Sequence, residues 1–248
     1  MLLEGKNAVV YGGGGSMGGA VARAFGHEGA SVFLAGRTLS KLDAVAEEIV
    51  AAGGTAETAE LDAFDREAVE AHADAVARKA GSLDVSFNAV GVNAVQGTPL
   101  VEMSLEDFMT PIEEAARTHF ITATAAARRM SEQGSGVIVM LSSSAAGEWR
   151  HRMGGFNLAC AAIEAFTRSL AGEVGREGVR VVCIRPNFTP ETTPEVMDAD
   201  VQPLVDDTLL GRLPRLAEVG GTAAFVASDQ AGAMTGAVVN LTCGALVD

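Results

Sequence analysis

Short apolar runs alternate along this chain with stretches of helical periodicity, and that alternation leaves few folds open to it. The runs fall at 8–11, 31–35, 55–61, 85–89, 136–141, 179–184 and 237–241. The helical stretches fall at 17–28, 39–52, 66–79, 105–130, 156–175 and 217–227. Several runs, such as Val137-Ile138-Val139-Met140-Leu141, are apolar at every position rather than at every second one. A strand written that way has both faces covered, as in a parallel sheet held between helices. The expected class is α/β, a three-layer doubly wound parallel sheet. Ser40 with Asp43, and Asp65, are the expected helix-start signals. No linker, repeat or low-complexity segment interrupts the pattern, and 248 residues, 48% of them hydrophobic, suit a single domain over 1–248. The stretch 186–214 carries Pro186, Pro190, Pro194, Pro203 and Pro214 and is expected to be a long irregular excursion. Loops of that length are usually functional.

Charge and cysteine usage narrow the partners. The 32 acidic residues outnumber the 18 basic ones, a net −14, which argues against nucleic acid or an anionic membrane as a partner. No apolar run approaches the roughly 20 residues of a membrane span. The opening Met-Leu-Leu-Glu-Gly-Lys does not read as a leader peptide, because the apolar run after it is short and breaks into glycines. Cys160, Cys183 and Cys243 are odd in number and widely spaced, so neither a metal site nor a disulfide framework is expected. A reducing, cytoplasmic setting follows.

Residues 9–20 read Val-Val-Tyr-Gly-Gly-Gly-Gly-Ser-Met-Gly-Gly-Ala. Gly13, Gly15 and Gly18 satisfy G-x-G-x-x-G directly after a strand and at the opening of a helix, the context that a dinucleotide fingerprint requires. Glycines there let the backbone approach a pyrophosphate, and the helix N-terminus offers free N–H groups and a positive dipole end. An acidic residue about twenty positions on would bind a ribose 2′-hydroxyl. Here Arg37 follows the next strand instead. A guanidinium suits a 2′-phosphate, so NADP is expected over NAD.

These residues, with others along the chain, resemble the short-chain dehydrogenase/reductase family. Gly12-x-x-x-Ser16-Met17-Gly18 resembles the family's Gly-x-x-x-Gly-x-Gly, with Ser16 in place of the middle glycine. Leu61-Asp62 resembles the site that contacts adenine. Asn88-Ala89-Val90-Gly91 resembles the Asn-Asn-Ala-Gly that closes one side of the cofactor pocket, and Pro186-Asn187 falls where Pro-Gly lies beside the nicotinamide. Gly211-Arg212-Leu213-Pro214, Phe225 to Asp229, Thr235-Gly236 and Cys243-Gly244 follow the C-terminal pattern. The resemblance implies a Rossmann-like fold, a nicotinamide cofactor, a small-molecule substrate and a homotetramer or dimer, with 238–247 at a subunit contact.

The resemblance also implies a catalytic quartet of Asn, Ser, Tyr and Lys, and here the chain departs from it. The Asn position falls at Ala115 and the Ser position at Ser143 or Ser144. Phe156 stands at the Tyr position and Cys160 at the Lys position. A carbonyl that receives hydride becomes an alkoxide and needs a proton, and a positioned acid contributes ~10²–10⁴-fold. Phe156 offers no proton and Cys160 no fixed cation. His151, in the loop beyond the serines, is a candidate replacement, and Cys160, His119 and Arg117 are weaker ones. The expectation is an NADP(H)-dependent oxidoreductase of an apolar carbonyl-type substrate with a non-standard proton donor. The alternatives are a non-catalytic dinucleotide- or ligand-binding protein and a lyase or isomerase reusing the pocket.

Overall fold

The computed structural model describes residues 1–193, 195 and 198–247. The chain runs β1 (Asn7–Tyr11), α1 (Ser16–His27), β2 (Ser31–Gly36), α2 (Leu39–Ala51), β3 (Thr55–Glu60), α3 (Arg66–Ala80) and β4 (Val85–Asn88). It continues through α4 (Leu105–Gln133), β5 (Gly136–Leu141), α5 (Gly155–Val174), β6 (Val179–Pro186), α6 (Asp198–Asp206), α7 (Leu216–Ala227) and β7 (Val238–Leu241). The seven strands lie in the order β3-β2-β1-β4-β5-β6-β7, with every neighbouring pair parallel.

Continuous apolarity in the central strands is explained by two cores. In β1, Val9 and Tyr11 face a core with α3, α4 and α5, while Ala8 and Val10 face a second core with α1, α2 and α7. Successive side chains point to opposite faces, so a strand covered on both sides must be apolar throughout. Edge strand β3, Thr-Ala-Glu-Thr-Ala-Glu, is the exception and is largely open to solvent. The strand order reverses between β1 and β4, and in doubly wound sheets the crevice at such a reversal takes the ligand.

Local signals account for most helix ends. Asp65 caps α3, its side chain accepting from the Ala68 N–H, and Ser104 caps α4 in the same way from Asp107. Helix α2 begins at Leu39 as expected, but the signal read at Ser40 is corrected: Thr38 is its N-cap, and no side chain caps it. Helix α4 runs three residues past the expected Met130, to a left-handed Gly134 that ends it. The irregular excursion over 186–214 is also corrected. A short 3-10 turn at Pro190–Thr192 and the helix α6 lie within it, the latter tolerating Pro203. Pro194 lies outside the described residues. No helix among the described residues is long and apolar enough to cross a membrane.

Candidate active site

The glycine loop is shaped by close approach. Gly12 leaves β1 at φ +75°, and a Cβ there would lie 2.6 Å from the Ala89 carbonyl oxygen. A Cβ on Gly18 would lie 2.3 Å from the Gly12 carbonyl oxygen. A side chain at Gly12 would collide with the chain leaving β4, and one at Gly18 would push α1 off the end of β1. Gly15 is the N-cap of α1, with no side chain capping it. The first-turn N–H groups therefore stay available beside the exposed Ser16 and the half-buried Met17. A pyrophosphate fits this cradle, since close backbone, free donors and a helix dipole coincide there.

Around the cradle, Arg37 follows β2, is exposed, and makes no hydrogen bond or ion pair among the described residues. Asp62 is also exposed, and its Oδ1 accepts from the Phe64 N–H at 3.0 Å, which fixes the turn after β3. Asn88 is buried. Its Nδ2 donates to Thr122 Oγ1 at 2.9 Å and its Oδ1 accepts from the Val90 N–H at 2.8 Å, so it ties the loop after β4 to α4. Gly91 lies beyond that loop in open space, and Pro186 ends β6 buried.

These loops open onto a cavity of about 770 Å³. Met17, Asn88, Gly91 and Pro186 are among its lining residues. Ser143, Ser144, Phe156, Cys160 and His151 line it too. Gly12, Gly15, Ser16, Gly18, Arg37 and Asp62 are not among its lining residues.

Hydrogen bonding separates the serines. Ser142 Oγ donates to Glu164 Oε1 at 2.9 Å, and Ser144 Oγ donates to Asn187 Oδ1 at 3.0 Å. Ser143 Oγ accepts from the Ala145 N–H at 3.3 Å, which leaves its own proton free to donate into the cavity. Of the two serines the sequence left open, Ser143 has the uncommitted donor. Glu164 also takes a bidentate pair from Arg185, Nε at 2.7 Å and a terminal nitrogen at 2.8 Å. That pair clasps α5 and β6 beneath the serine loop.

Cys160 is 2% exposed. Burial pushes its thiol up to about 12, with Cys183 and Glu164 adding to the shift, so it is a protonated, inert thiol at neutral pH. His119 lies one turn past Ala115 on α4 and reaches the same cavity. Its Nδ1 lies 3.1 Å from the Ala115 carbonyl oxygen, and its Nε2 is buried without a hydrogen-bond partner. Burial lowers this ring to about 4, against a weaker pull from the Ala115 and Leu141 carbonyls. His119 is thus neutral near pH 7.

The rim of the cavity carries a charged group that sequence spacing could not assemble. His151 Nε2 lies 2.9 Å from Asp207 Oδ2, across 56 residues of chain. Arg150 bridges two carboxylates, meeting Glu148 Oε2 at 2.9 Å and Asp207 Oδ1 at 3.1 Å. Burial alone would raise the Glu148 carboxyl, but the hydrogen bonds and charge of Arg150 outweigh it and hold that carboxyl below the usual range. Glu148, His151 and Asp207 bring three ligand-type atoms within 4.8 Å of one another. Arg150 already supplies there the positive charge that an ion would bring. Sequence reading found His151 but not Asp207, which follows α6 directly and carries no local signal.

Comparison with known proteins places these features in company. A family model described as Enoyl-(Acyl carrier protein) reductase matches residues 13–245. An uncharacterised oxidoreductase of Mycobacterium tuberculosis is 30% identical, the match covering 98% of this chain and 92% of that one. A 3alpha-hydroxysteroid dehydrogenase of Mediterraneibacter gnavus is 28% identical over 97% of both. Among solved structures, a 7 alpha-hydroxysteroid dehydrogenase complexed with NADH and 7-oxo glycochenodeoxycholic acid superposes with a TM-score of 0.87. It is 26% identical, with 98% of this chain and 94% of that one covered.

Proposed function

The chain belongs to the short-chain dehydrogenase/reductase family, and from that premise we propose that it is an NADP(H)-dependent oxidoreductase acting on an apolar, carbonyl-type substrate, with a proton donor other than tyrosine. The observation that carries the reading is that Met17, within the glycine loop, lines the same cavity in which Ser143 keeps a free hydroxyl. When bound, the nicotinamide supplies or accepts hydride. The residues of the chain do the rest. The backbone of Gly12 to Gly18 and the α1 N-terminus hold the pyrophosphate, Arg37 takes the 2′-phosphate, and Asp62 faces the adenine. Asn88, Gly91 and Pro186 bound the nicotinamide side. Ser143 donates a hydrogen bond to the substrate oxygen, and Phe156 packs over the ring region without handling a proton.

A homo-oligomer, dimer or tetramer, is part of the reading. Edge strand β7 has every residue partly or fully open, and Phe120 on α4 is 49% exposed. The three free cysteines suit a cytoplasmic setting.

Calorimetry with NADPH and NADH tests the core of this. NADPH is expected to bind at least tenfold tighter, about 1.4 kcal/mol, and Arg37→Leu is expected to erase that difference. Failure of both coenzymes to bind at millimolar concentration ends the redox reading. Equal affinity for the two ends the NADP assignment alone.

A further inference from the structure

We propose that His151 is the proton donor of this site and that Asp207 is its positioning residue. The inference rests on the oxidoreductase reading above. It answers the question which that reading leaves open, namely what replaces the missing tyrosine.

Elimination among the groups that line the cavity leads to the loop after Ser144. Phe156 has no proton to give. The Cys160 thiol is 2% exposed and packed beneath the serine loop. His119 has one ring nitrogen on the Ala115 carbonyl, so that nitrogen carries the proton, and the other is a bare acceptor sealed from solvent. Ser143 can donate a hydrogen bond, but among the described residues no base stands behind it. His151 differs from all of these. Its side chain is 30% exposed, so it can exchange protons with water. Its Nε2 is committed to Asp207 Oδ2 at 2.9 Å, while its Nδ1 has no partner among the described residues.

That division of labour is what a proton donor needs. A carboxylate on one ring nitrogen fixes the ring's orientation and leaves the second nitrogen to act. The groups facing the ring are Glu148 and Arg150 from its own loop and Asp207 from the end of α6. Cys160 and His119 line the same cavity, and both are uncharged at neutral pH. The Glu148 carboxylate also accepts the His151 backbone N–H at 3.2 Å, which pins the loop from beneath.

The chemistry balances as follows. The substrate carbonyl carbon accepts hydride from reduced nicotinamide, and the C=O π pair moves to oxygen. The protonated His151 ring gives its Nδ1 proton to that oxygen. The products are the alcohol, the oxidised nicotinamide and a neutral ring whose Nε2–H still donates to Asp207. Solvent reprotonates Nδ1. Oxidation of an alcohol runs the same steps backwards, with the neutral ring as base.

The test uses the full chain with His151→Gln, Asp207→Asn and Asp207→Glu. Ring NMR of each protein gives a readout that needs no turnover. The His151 ring signals, assigned by their loss in His151→Gln, should change position in Asp207→Asn, where the carboxylate hydrogen bond is weakened, and return toward the parent in Asp207→Glu. NADPH affinity by calorimetry should stay within about threefold in all variants, because neither residue belongs to the cradle. Against a panel of apolar ketones, kcat in His151→Gln should fall ~10²–10⁴-fold with KM little changed, and the decline of reduction rate with rising pH should flatten. Ketone reduction that survives His151→Gln within threefold overturns the donor and leaves the oxidoreductase reading standing. His151 ring signals that do not respond to Asp207→Asn overturn the positioning role. A parent chain that binds NADPH yet reduces no ketone on the panel overturns both readings.

Discussion

At the scale of single residues, this molecule shows how one change in environment decides what a side chain can do. Two histidines line one cavity. His151 stands at the open rim against a carboxylate, whereas His119 is 4% exposed between carbonyls. The sign of the second case is testable. The folded ring sits at about 4, against 6.5 when it is free. Between those values the unfolded chain binds a proton that the folded one refuses. Stability should therefore fall as pH drops through that window, level off below it, and be unaffected above it. The loss is roughly 3 kcal/mol from this ring. His72, also lowered by burial, acts in the same direction. Urea midpoints at about pH 7 and about pH 4.5 should differ less in His119→Phe than in the parent; equal losses would show that His119 is not the group responsible. Residue identities at motif spacing were legible from the chain alone, as Phe156 and Cys160 facing one cavity illustrate. Asp207 was not, because nothing near it in sequence announces a partner 56 residues away.

At the scale of elements, glycines and clasps set how closely pieces approach. The β1-to-α1 crossover works only because Gly12 and Gly18 leave room for neighbouring carbonyls. Gly91 is different, since a Cβ there meets no protein atom within 4 Å. Gly18→Ala should lower the thermal midpoint and weaken NADPH binding by at least about tenfold. Gly91→Ala should leave the midpoint unchanged and affect only coenzyme affinity. Scanning fluorimetry with calorimetry separates the two effects, and a Gly18→Ala protein with parental affinity would remove the phosphate cradle from the site. Element boundaries were read closely where a hydrophobic period or an Asp cap marked them, as at α3. They were misread where other forces decided, as at α6, which holds a proline that argues locally against a helix.

At the scale of the whole molecule, one sheet is shared by two cores, so neither face can unfold without exposing the other's strands. A single cooperative transition should follow by far-UV circular dichroism. The chain's one tryptophan, Trp149, is 86% exposed, with the Arg150 guanidinium 6.0 Å from its ring centroid. Its emission wavelength should hardly move across that transition. A large shift on unfolding would mean that Trp149 is covered in solution, as it would be by a second copy of the chain. Sedimentation velocity on the same sample would then identify the cover.

What the sequence determined by itself was whatever depends on near neighbours. Strands apolar on both faces demanded a parallel sheet between helices. A glycine run between strand and helix demanded a tight crossover, and the residue at position 156 is a phenylalanine without a hydroxyl. What only the tertiary structure decided was which distant groups meet. It released the Ser143 hydroxyl by committing Ser142 and Ser144 elsewhere, sealed the Cys160 thiol, and brought Asp207 to His151. The physical reason is range. Backbone propensity and burial periodicity act within a turn or a strand, whereas hydrogen bonding and desolvation depend on contacts that exist only after the chain has packed.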